Sequence, residues 1–235
     1  MDKQHDALIV SAHPDDAEMS MGGTMIRLAD AGLSLFHLVL TAGQKGSFGD
    51  VATRKAEFTA AQKYLGAAGR ILDQMDTELD HTLAIRKEVA KIIRELRPRI
   101  VFAPYHTNPA AERGGIAHRD HFVAGEIVRD AAKLARMRGA SGDQEPHEVR
   151  RLYFFMTPKF SKPSLIVDVS QVMDRTFELI GCYKTQLAIQ HGNVSIEEIL
   201  RTKRAALGLE VGVRFAEPLL VDEPLHVEPL TLLSL

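Results

Sequence analysis

Short apolar runs alternate with longer amphipathic stretches over the first hundred residues of the chain. The apolar runs are rich in Val, Ile and Leu, which is typical of buried strands, and they lie at 7–12, 34–41, 70–73 and 99–104. The stretches between them place apolar residues at helical spacing and predict helices over 22–32, 51–66 and 82–97. Apolar runs separated by helices favour a mainly parallel sheet with helices on both faces.

The pattern is looser after residue 104. A long loop is predicted over 105–117, followed by a helix over 118–136. Further strands are predicted at 149–156 and 164–170, and further helices near 171–188 and 195–211. The C-terminal segment "FAEPLLVDEPLHVEPLTLLSL" contains three prolines and is predicted to be extended. We therefore expect a Rossmann-like α/β fold in one domain over 1–235, with the part from about 150 to 235 as an extension of the core.

Composition narrows the class of protein. The chain has 235 residues with 29 basic and 31 acidic side chains, and a net charge of −2 gives no field that favours nucleic acid or anionic membranes. No apolar run approaches the roughly 20 residues of a membrane span, and the first apolar stretch is too short for a signal peptide. The single cysteine, Cys182, excludes an internal disulfide framework and a Cys-rich zinc site. These features predict a cytoplasmic, enzyme-sized protein.

Two polar clusters follow predicted strands. The stretch "SAHPDDAEMSMGG" begins at Ser11 and brings His13, Asp15 and Asp16 to the end of the first strand. The stretch "AHRDH" at 117–121 follows the fourth strand and its loop. Because the carboxyl ends of parallel strands meet at one edge of a sheet, we expect the two clusters to lie close together.

The residue types in these clusters suit metal-assisted hydrolysis. Imidazole and carboxylate groups are zinc ligands, and a catalytic zinc keeps an open position for water. Asp15 and Asp16 are adjacent, so their side chains diverge, and one can bind a metal while the other faces water. His118 and His121 are one helical turn apart, so both can face one site. The metal would lower the pKa of water, a carboxylate would take the proton, and a cationic imidazole would stabilise the oxyanion.

Structural interpretations compete with this one. The "HPDD" stretch could be a turn in which Asp16 caps the following helix. The "HRDH" stretch could be an ordinary surface helix start. The occurrence of both motifs at predicted strand exits favours the chemical interpretation.

The same residues resemble a known family. "AHPDDAE" followed by "GG", together with "AHRDH", is similar to the LmbE/PIG-L superfamily of zinc-dependent de-N-acetylases, which act on N-acetylglucosamine-containing compounds. The likeness extends to "LTAGQKGS", "TRKAEFTAA", "LRPRIVFAP", "YKTQ" and "GVRFAEPL". These stretches resemble the bacterial branch, which includes the bacillithiol-pathway deacetylase that acts on N-acetylglucosaminyl-malate.

The resemblance implies a metal centre and a base. It implies that His13, Asp16 and His121 bind Zn²⁺, or another divalent metal such as Fe²⁺. It also implies that Asp15 is the general base.

The resemblance further implies roles for three residues outside the ligand set. His118 would stabilise the oxyanion or act as general acid, and Asp120 would orient it. Arg54 would reach the substrate, a role supported locally only by the pattern R-x-x-E. The expected partner is a small N-acetylated amino sugar, and a homo-oligomer is expected because bacterial members are often hexamers.

Two positions depart from the family pattern. Arg119 stands where the family usually has proline, and Gln44 follows Gly43 where a glutamate is common. We expect these changes and the 105–117 loop to affect substrate choice more than the reaction.

Three alternative functions follow from the same residues. The nearest is an amidohydrolase that acts on a different amide. Two histidines and one carboxylate are also the ligand set of non-haem iron oxygenases, but those enzymes need no adjacent base such as Asp15. A non-catalytic sugar-binding module would need neither Asp15 nor His118.

Overall fold

The computed structural model describes residues 4–46, 48–107, 118–140, 144–158 and 161–224. Within these ranges, five parallel strands form the central sheet in the order β3-β2-β1-β4-β5. The strands are β1 (Ala7–Ser11), β2 (Leu35–Thr41), β3 (Ala68–Gln74), β4 (Ile100–Pro104) and β5 (Arg151–Phe155). The predicted α/β fold with a mainly parallel sheet is confirmed. The strand order reverses direction between β1 and β4, which is where ligands bind in open sheets of this kind.

Helices cover both faces of the sheet. The first four are α1 (Asp16–Asp30), α2 (Val51–Leu65), α3 (Leu83–Leu96) and α4 (Arg119–Arg136). Alternate residues of β1 face opposite cores: Leu8 and Val10 pack in the core that contains the apolar faces of α3 and α4, and Ile9 packs in the core that contains α1 and α2. Burial on both faces explains why this strand is apolar over its first four positions, 7–10.

Helix α1 begins earlier than the sequence pattern predicts, and it is kinked. The pattern predicts a helix from residue 22, whereas the observed helix starts at Asp16 and breaks at Met21, where φ is −139°. The amides of Gly23 and Thr24, freed by the kink, donate to the carboxylate of Glu217 at 3.0 and 2.7 Å. The predicted start at residue 22 therefore corresponds to the second half of α1. The first half of α1 was not predicted because the polar "HPDD" stretch resembles a loop.

The C-terminal part forms its own small sheets and helices. Its elements are β6 (Leu165–Asp168), α5 (Met173–Ile180), α6 (Lys184–Leu187), β7 (Gln190–His191), β8 (Val194–Ser195), α7 (Ile196–Val211) and β9 (Ala216–Leu219). The predicted helix over 171–188 is divided into α5 and α6. Strand β6 pairs antiparallel with β9 outside the central sheet, so part of the predicted extended tail is a strand. Residues 225–235 of that tail lie outside the described residues, as does most of the predicted 105–117 loop.

A buried ion pair ties this part to α1. Arg204 of α7 contacts Glu217 of β9 at 2.8 Å and donates to the carbonyl of Met19 at 2.9 Å. None of the helices in the described part of the chain combines the length and apolar character that a membrane span requires.

Candidate active site

The two polar clusters meet beside the switch point between β1 and β4. His13 follows the end of β1, and His118 is the N-cap residue of α4. The ring centroids of these two histidines are 4.8 Å apart, and that of His121 lies 5.2 Å from His13. The predicted convergence of both motifs at one sheet edge is therefore observed.

Three side chains place donor atoms around one point. His13 Nδ1 lies 3.3 Å from His121 Nε2 and 3.6 Å from Asp16 Oδ2, and His121 Nε2 lies 3.1 Å from Asp16 Oδ1. Ligands at 2.0–2.1 Å from a common tetrahedral ion would be about 3.3 Å apart. Two imidazoles and one carboxylate at these separations fit a divalent metal ion of the zinc type.

The outer nitrogen of His13 faces two further carboxylates. Its Nε2 lies 3.0 Å from Asp76 Oδ1 and 3.5 Å from Asp120 Oδ2. Burial alone would lower the pKa of His13, but hydrogen bonds with Asp120, Asp16 and Asp76 raise that pKa to about 12. The cluster therefore strongly favours a positive charge, whether a proton or a metal cation.

Asp15 and Asp16 occupy different surroundings. Asp15 has a φ of 101°, an unusual value for a residue other than glycine. Its Oδ1 lies 3.2 Å from Arg54 Nη2, whereas the carboxylate of Asp16 contacts His13 and His121. Burial and then the charge of Asp16 raise the pKa of Asp15 well above its usual value. Burial would also raise the pKa of Asp16, but His121 and His13 hold it well below its usual range. Adjacent carboxyls with diverging pKa values are typical of a ligand and a base.

The alternative in which Asp16 caps a helix does not match the structure. Helix α1 begins with Asp16 itself, and the preceding Asp15 makes no side-chain cap hydrogen bond. Instead, Asp16 Oδ2 accepts a hydrogen bond from the amide of His13 at 2.8 Å. This hydrogen bond closes the "HPDD" turn beside the histidine cluster.

His118 is held by its position at the start of α4. Its Nδ1 accepts a long hydrogen bond, 3.4 Å, from the amide of Asp120. Burial and the nearby charge of His13 lower the pKa of His118, so the ring is neutral near pH 7. A neutral ring that accepts at Nδ1 carries its proton on Nε2 and can donate it to a ligand.

Asp120 is fully buried beneath the histidines. Its Oδ2 accepts a hydrogen bond from the amide of Thr77 at 2.8 Å, and its Oδ1 has no partner among the described residues. The carboxylate therefore faces His13 and Thr77, and the hydrogen bond between Asp120 and His118 uses the Asp120 amide. Its role as orienting partner of His118 stays a prediction.

Arg54 lies behind the "HPDD" turn. It is 3% exposed, and its Nη2 donates to the carbonyl of Pro14 at 2.7 Å and to Asp15 Oδ1 at 3.2 Å. The structure thus brings Arg54 to the site through its contact with Asp15, and contact with substrate stays a prediction.

Sequence reasoning missed Asp76. This residue is 4% exposed and follows β3 by two positions. The hydrogen bond with His13 is the main cause that lowers the pKa of Asp76 to about 2. Its position after a third strand, at the same sheet edge, was the available signal, but the stretch "DQMDTELDH" around it matches no metal-binding motif.

A buried polar network extends from Glu18, the glutamate of "HPDDAE". Its Oε1 accepts hydrogen bonds from Gln62 at 3.0 Å and from the hydroxyl of Tyr183 at 2.9 Å, and it lies 3.3 Å from His37 Nδ1. All four side chains are buried. This network joins α1 to α2, to β2 and to the segment before α6.

Arg119, which replaces the proline usual in the family pattern, is the first residue of α4. That position favours proline in general, because its amide is unpaired in any helix. The Arg119 guanidinium is exposed and donates to the carbonyl of Leu79 at 3.2 Å. It therefore lies on the rim of the site, with its polar contacts directed to the segment that precedes α3.

Comparisons with known proteins show which proteins this chain is similar to. The family model described as "PIG-L: GlcNAc-PI de-N-acetylase" matches residues 8–132. The diacetylchitobiose deacetylase of Thermococcus kodakarensis is 30% identical over 223 residues, which cover 89% of this chain and 80% of that protein.

Two solved structures are similar over nearly the whole chain. The conserved protein TT1542 from Thermus thermophilus has 32% identity and a TM-score of 0.85, covering 96% of this chain and 98% of that one. The N,N′-diacetylchitobiose deacetylase from Pyrococcus horikoshii, in complex with its inhibitor MPG, has 26% identity and a TM-score of 0.81. That match covers 97% of this chain and 88% of the other.

Proposed function

The chain belongs to the PIG-L family of de-N-acetylases, and from that premise we propose that it is a metal-dependent hydrolase of N-acetylglucosamine-containing small molecules. It removes the acetyl group and releases acetate and a free amine. One observation carries the proposal: His13, Asp16 and His121 present donor atoms 3.1–3.6 Å apart beside the carboxyl of Asp15.

We propose that His13, Asp16 and His121 hold the metal, and that it is Zn²⁺, with Fe²⁺ as the alternative. The all-nitrogen-and-oxygen ligand set accepts either ion. When bound, such an ion lowers the pKa of water and polarises the amide carbonyl.

Asp15 is the general base in this proposal. Its raised pKa suits a carboxyl group that must accept a proton from the attacking water and hold it. The water oxygen forms a bond with the acetyl carbon, and its proton passes to Asp15. The carbon–nitrogen bond then breaks, and the proton passes to the departing amine, so the atoms and charges balance.

His118 stabilises the carbonyl oxygen as negative charge develops on it. The Nε2 proton of the neutral ring is the donor, and the cap interaction with the Asp120 amide fixes the ring. Asp120 supports this arrangement from beneath the ring cluster.

The substrate class follows from the relatives. Two of them are named as deacetylases of diacetylchitobiose, so the first substrate to test is N,N′-diacetylchitobiose, followed by other N-acetylglucosamine conjugates such as those with malate or inositol. Arg54 would contact a polar group of the substrate beside Asp15. The homo-oligomeric state and the cytoplasmic location rest on the resemblance and composition, and light scattering on the purified protein tests the former.

Amine release tests the proposed function. Zn²⁺-reconstituted protein is incubated with each conjugate, and free amine is measured with fluorescamine beside acetate. We expect equal amounts of both products, without oxygen uptake, from at least one conjugate. Metal-loaded protein that releases amine from none of them would contradict the proposal, and oxygen consumption would favour the oxygenase alternative.

A further inference from the structure

The turn after β3 holds an unusual backbone conformation next to the metal cluster. Thr77 has a φ of 68°, in the left-handed region that β-branched residues rarely adopt. Such strain persists only where surrounding contacts hold it, and it is concentrated at functional sites. The contacts of Thr77 and of Asp76 before it therefore indicate what the turn does.

This turn directs two carboxylates at one nitrogen. The Thr77 amide donates to Asp120 Oδ2 at 2.8 Å, and that oxygen lies 3.5 Å from His13 Nε2. Asp76 places its Oδ1 3.0 Å from the same nitrogen. The hydrogen bond from Thr77 thus holds one carboxylate beside His13, while the adjacent Asp76 supplies the other.

A second loop fixes the other side of Asp76. The Lys45 amide donates to Asp76 Oδ2 at 2.9 Å, and the Asp76 amide donates to Gln44 Oε1 at 3.2 Å. Gln44 Nε2 also donates to the carbonyl of Gln74 at 3.0 Å. A glutamate at position 44 could accept the first of these two Gln44 bonds but could not donate the second. The glutamine that departs from the family pattern therefore joins the loops after β2 and β3.

We propose that Asp76, supported by Asp120 and the Thr77 turn, is a positioning residue that fixes the tautomer and ring orientation of His13. In this arrangement Nε2 carries the proton donated to Asp76. Nδ1 then presents its lone pair beside Asp16 and His121. A carboxylate on the outer nitrogen of a metal-binding histidine orients the ring and raises its basicity. The inference rests on the proposed function only in taking the His13 cluster as the metal site.

The surroundings of Asp76 favour this role over a direct contact with substrate. The side chain is buried, and both of its oxygens are already engaged by His13 and by the Lys45 amide. A sugar hydroxyl would have to displace one of these contacts.

Metal affinity is the readout that separates these roles. The dissociation constants for Zn²⁺ and Co²⁺ are measured by competition with a chromophoric chelator for the wild type, Asp76→Ala and Asp76→Asn. Asp76→Ala should bind about 10- to 100-fold more weakly, as is typical when such a partner is lost. Asp76→Asn should be intermediate, because it offers one acceptor oxygen to two donors. Asp73→Asn removes the same charge from an exposed position on β3 and should bind as the wild type does.

Variants of Thr77 test the turn itself. Thr77→Gly keeps the amide and tolerates positive φ, so its metal affinity should match the wild type. Thr77→Pro removes the amide hydrogen and fixes φ at about −65°, so it should weaken metal binding as Asp76→Ala does. Circular dichroism identifies any variant that fails to fold. If Asp76→Ala fails to fold, the metal affinity of Asp76→Asn, which keeps the side-chain shape, tests the inference.

Two results would overturn the inference. One is a folded Asp76→Ala protein with wild-type metal affinity. The other is a raised KM with unchanged affinity, which would make Asp76 a substrate-binding residue. Wild-type protein that binds metal at this cluster but deacetylates nothing would contradict the proposed function and leave the positioning inference standing.

Discussion

Asp15 and Asp16 are neighbours in the chain, yet their carboxyl groups have opposite electrostatic surroundings. Burial and the charge of Asp16 raise the pKa of Asp15. The pKa of Asp16, which burial alone would raise, is held low by His121 and His13. One carboxyl is therefore suited to hold a metal ion and the other to accept a proton, and the predictions below separate these tasks.

Zinc affinity should increase with pH above neutrality. The pKa of His13 is raised to about 12, so without metal the ring keeps its extra proton between about pH 7 and 8.5. Metal binding must release that proton, and affinity should rise about tenfold for each pH unit. Chelator competition at several pH values measures the slope. A flat profile over this range, expected of a histidine with an ordinary pKa, would contradict the prediction.

Arg54→Ala should move the acidic limb of the kcat/KM profile to higher pH. Burial is the main cause that raises the pKa of Asp15, and the guanidinium of Arg54 opposes this increase. Removing that charge should raise the pKa further, so a higher pH is needed to ionise the base. Arg54→Lys keeps the charge and should restore most of the wild-type profile.

A different result would contradict this prediction for Arg54. An increase in KM with an unshifted acidic limb would show that the guanidinium binds the substrate and does not set the pKa of Asp15. Metal content, measured beside the kinetics, should stay at the wild-type level in both variants.

His118→Ala should lower kcat without loss of metal. The ring lies beside the three proposed ligands, and loss of one oxyanion donor costs about 10²–10³ in kcat. Zinc content by mass spectrometry should match the wild type. His147, which contacts the carbonyl of Pro98 just before β4, offers a control substitution. Loss of zinc together with activity would instead make His118 a ligand.

Glu217→Ala should destabilise the fold while the metal ligands stay intact. It removes the carboxylate that pairs with the buried Arg204 guanidinium and accepts hydrogen bonds from the amides of Gly23 and Thr24. Breaking a buried ion pair in this way costs about 3–5 kcal/mol. Urea denaturation measures the change in the free energy of unfolding. A change below about 1 kcal/mol, the range of exposed pairs, would show that the contacts of Glu217 with α1 contribute little.

The inner strands of the central sheet were predictable because they are buried on both faces. Residues such as Leu8 and Ile9 face opposite cores, so the strand reads as one apolar run. The first half of α1 was not predictable, since its polar residues serve the site and not the core. The apolar sequence of β6 predicted a strand. Its pairing with β9 outside the central sheet was not predictable, because it depends on contacts between segments far apart in the sequence.

Convergence of the site was predictable from strand exits, and its finer geometry was not. His13 and His121 could be brought together by the rule that parallel strands end at one edge. The sequence does not indicate the positive φ of Thr77, because threonine rarely adopts this conformation. Asp76 depends on that turn for its contact with His13, so it was missed for the same reason. The direction of Arg54, toward Asp15, is likewise set by packing behind the turn.

The most direct test of the proposed mechanism is zinc content beside kcat for Asp15→Asn. The substitution keeps the shape of the side chain but cannot accept the proton from water. A positioned general base contributes about 10²–10⁴-fold to the rate, so kcat for amine release should fall by that factor while zinc stays near the wild-type level. Wild-type turnover in the zinc-loaded variant would contradict the assignment of Asp15 as the base.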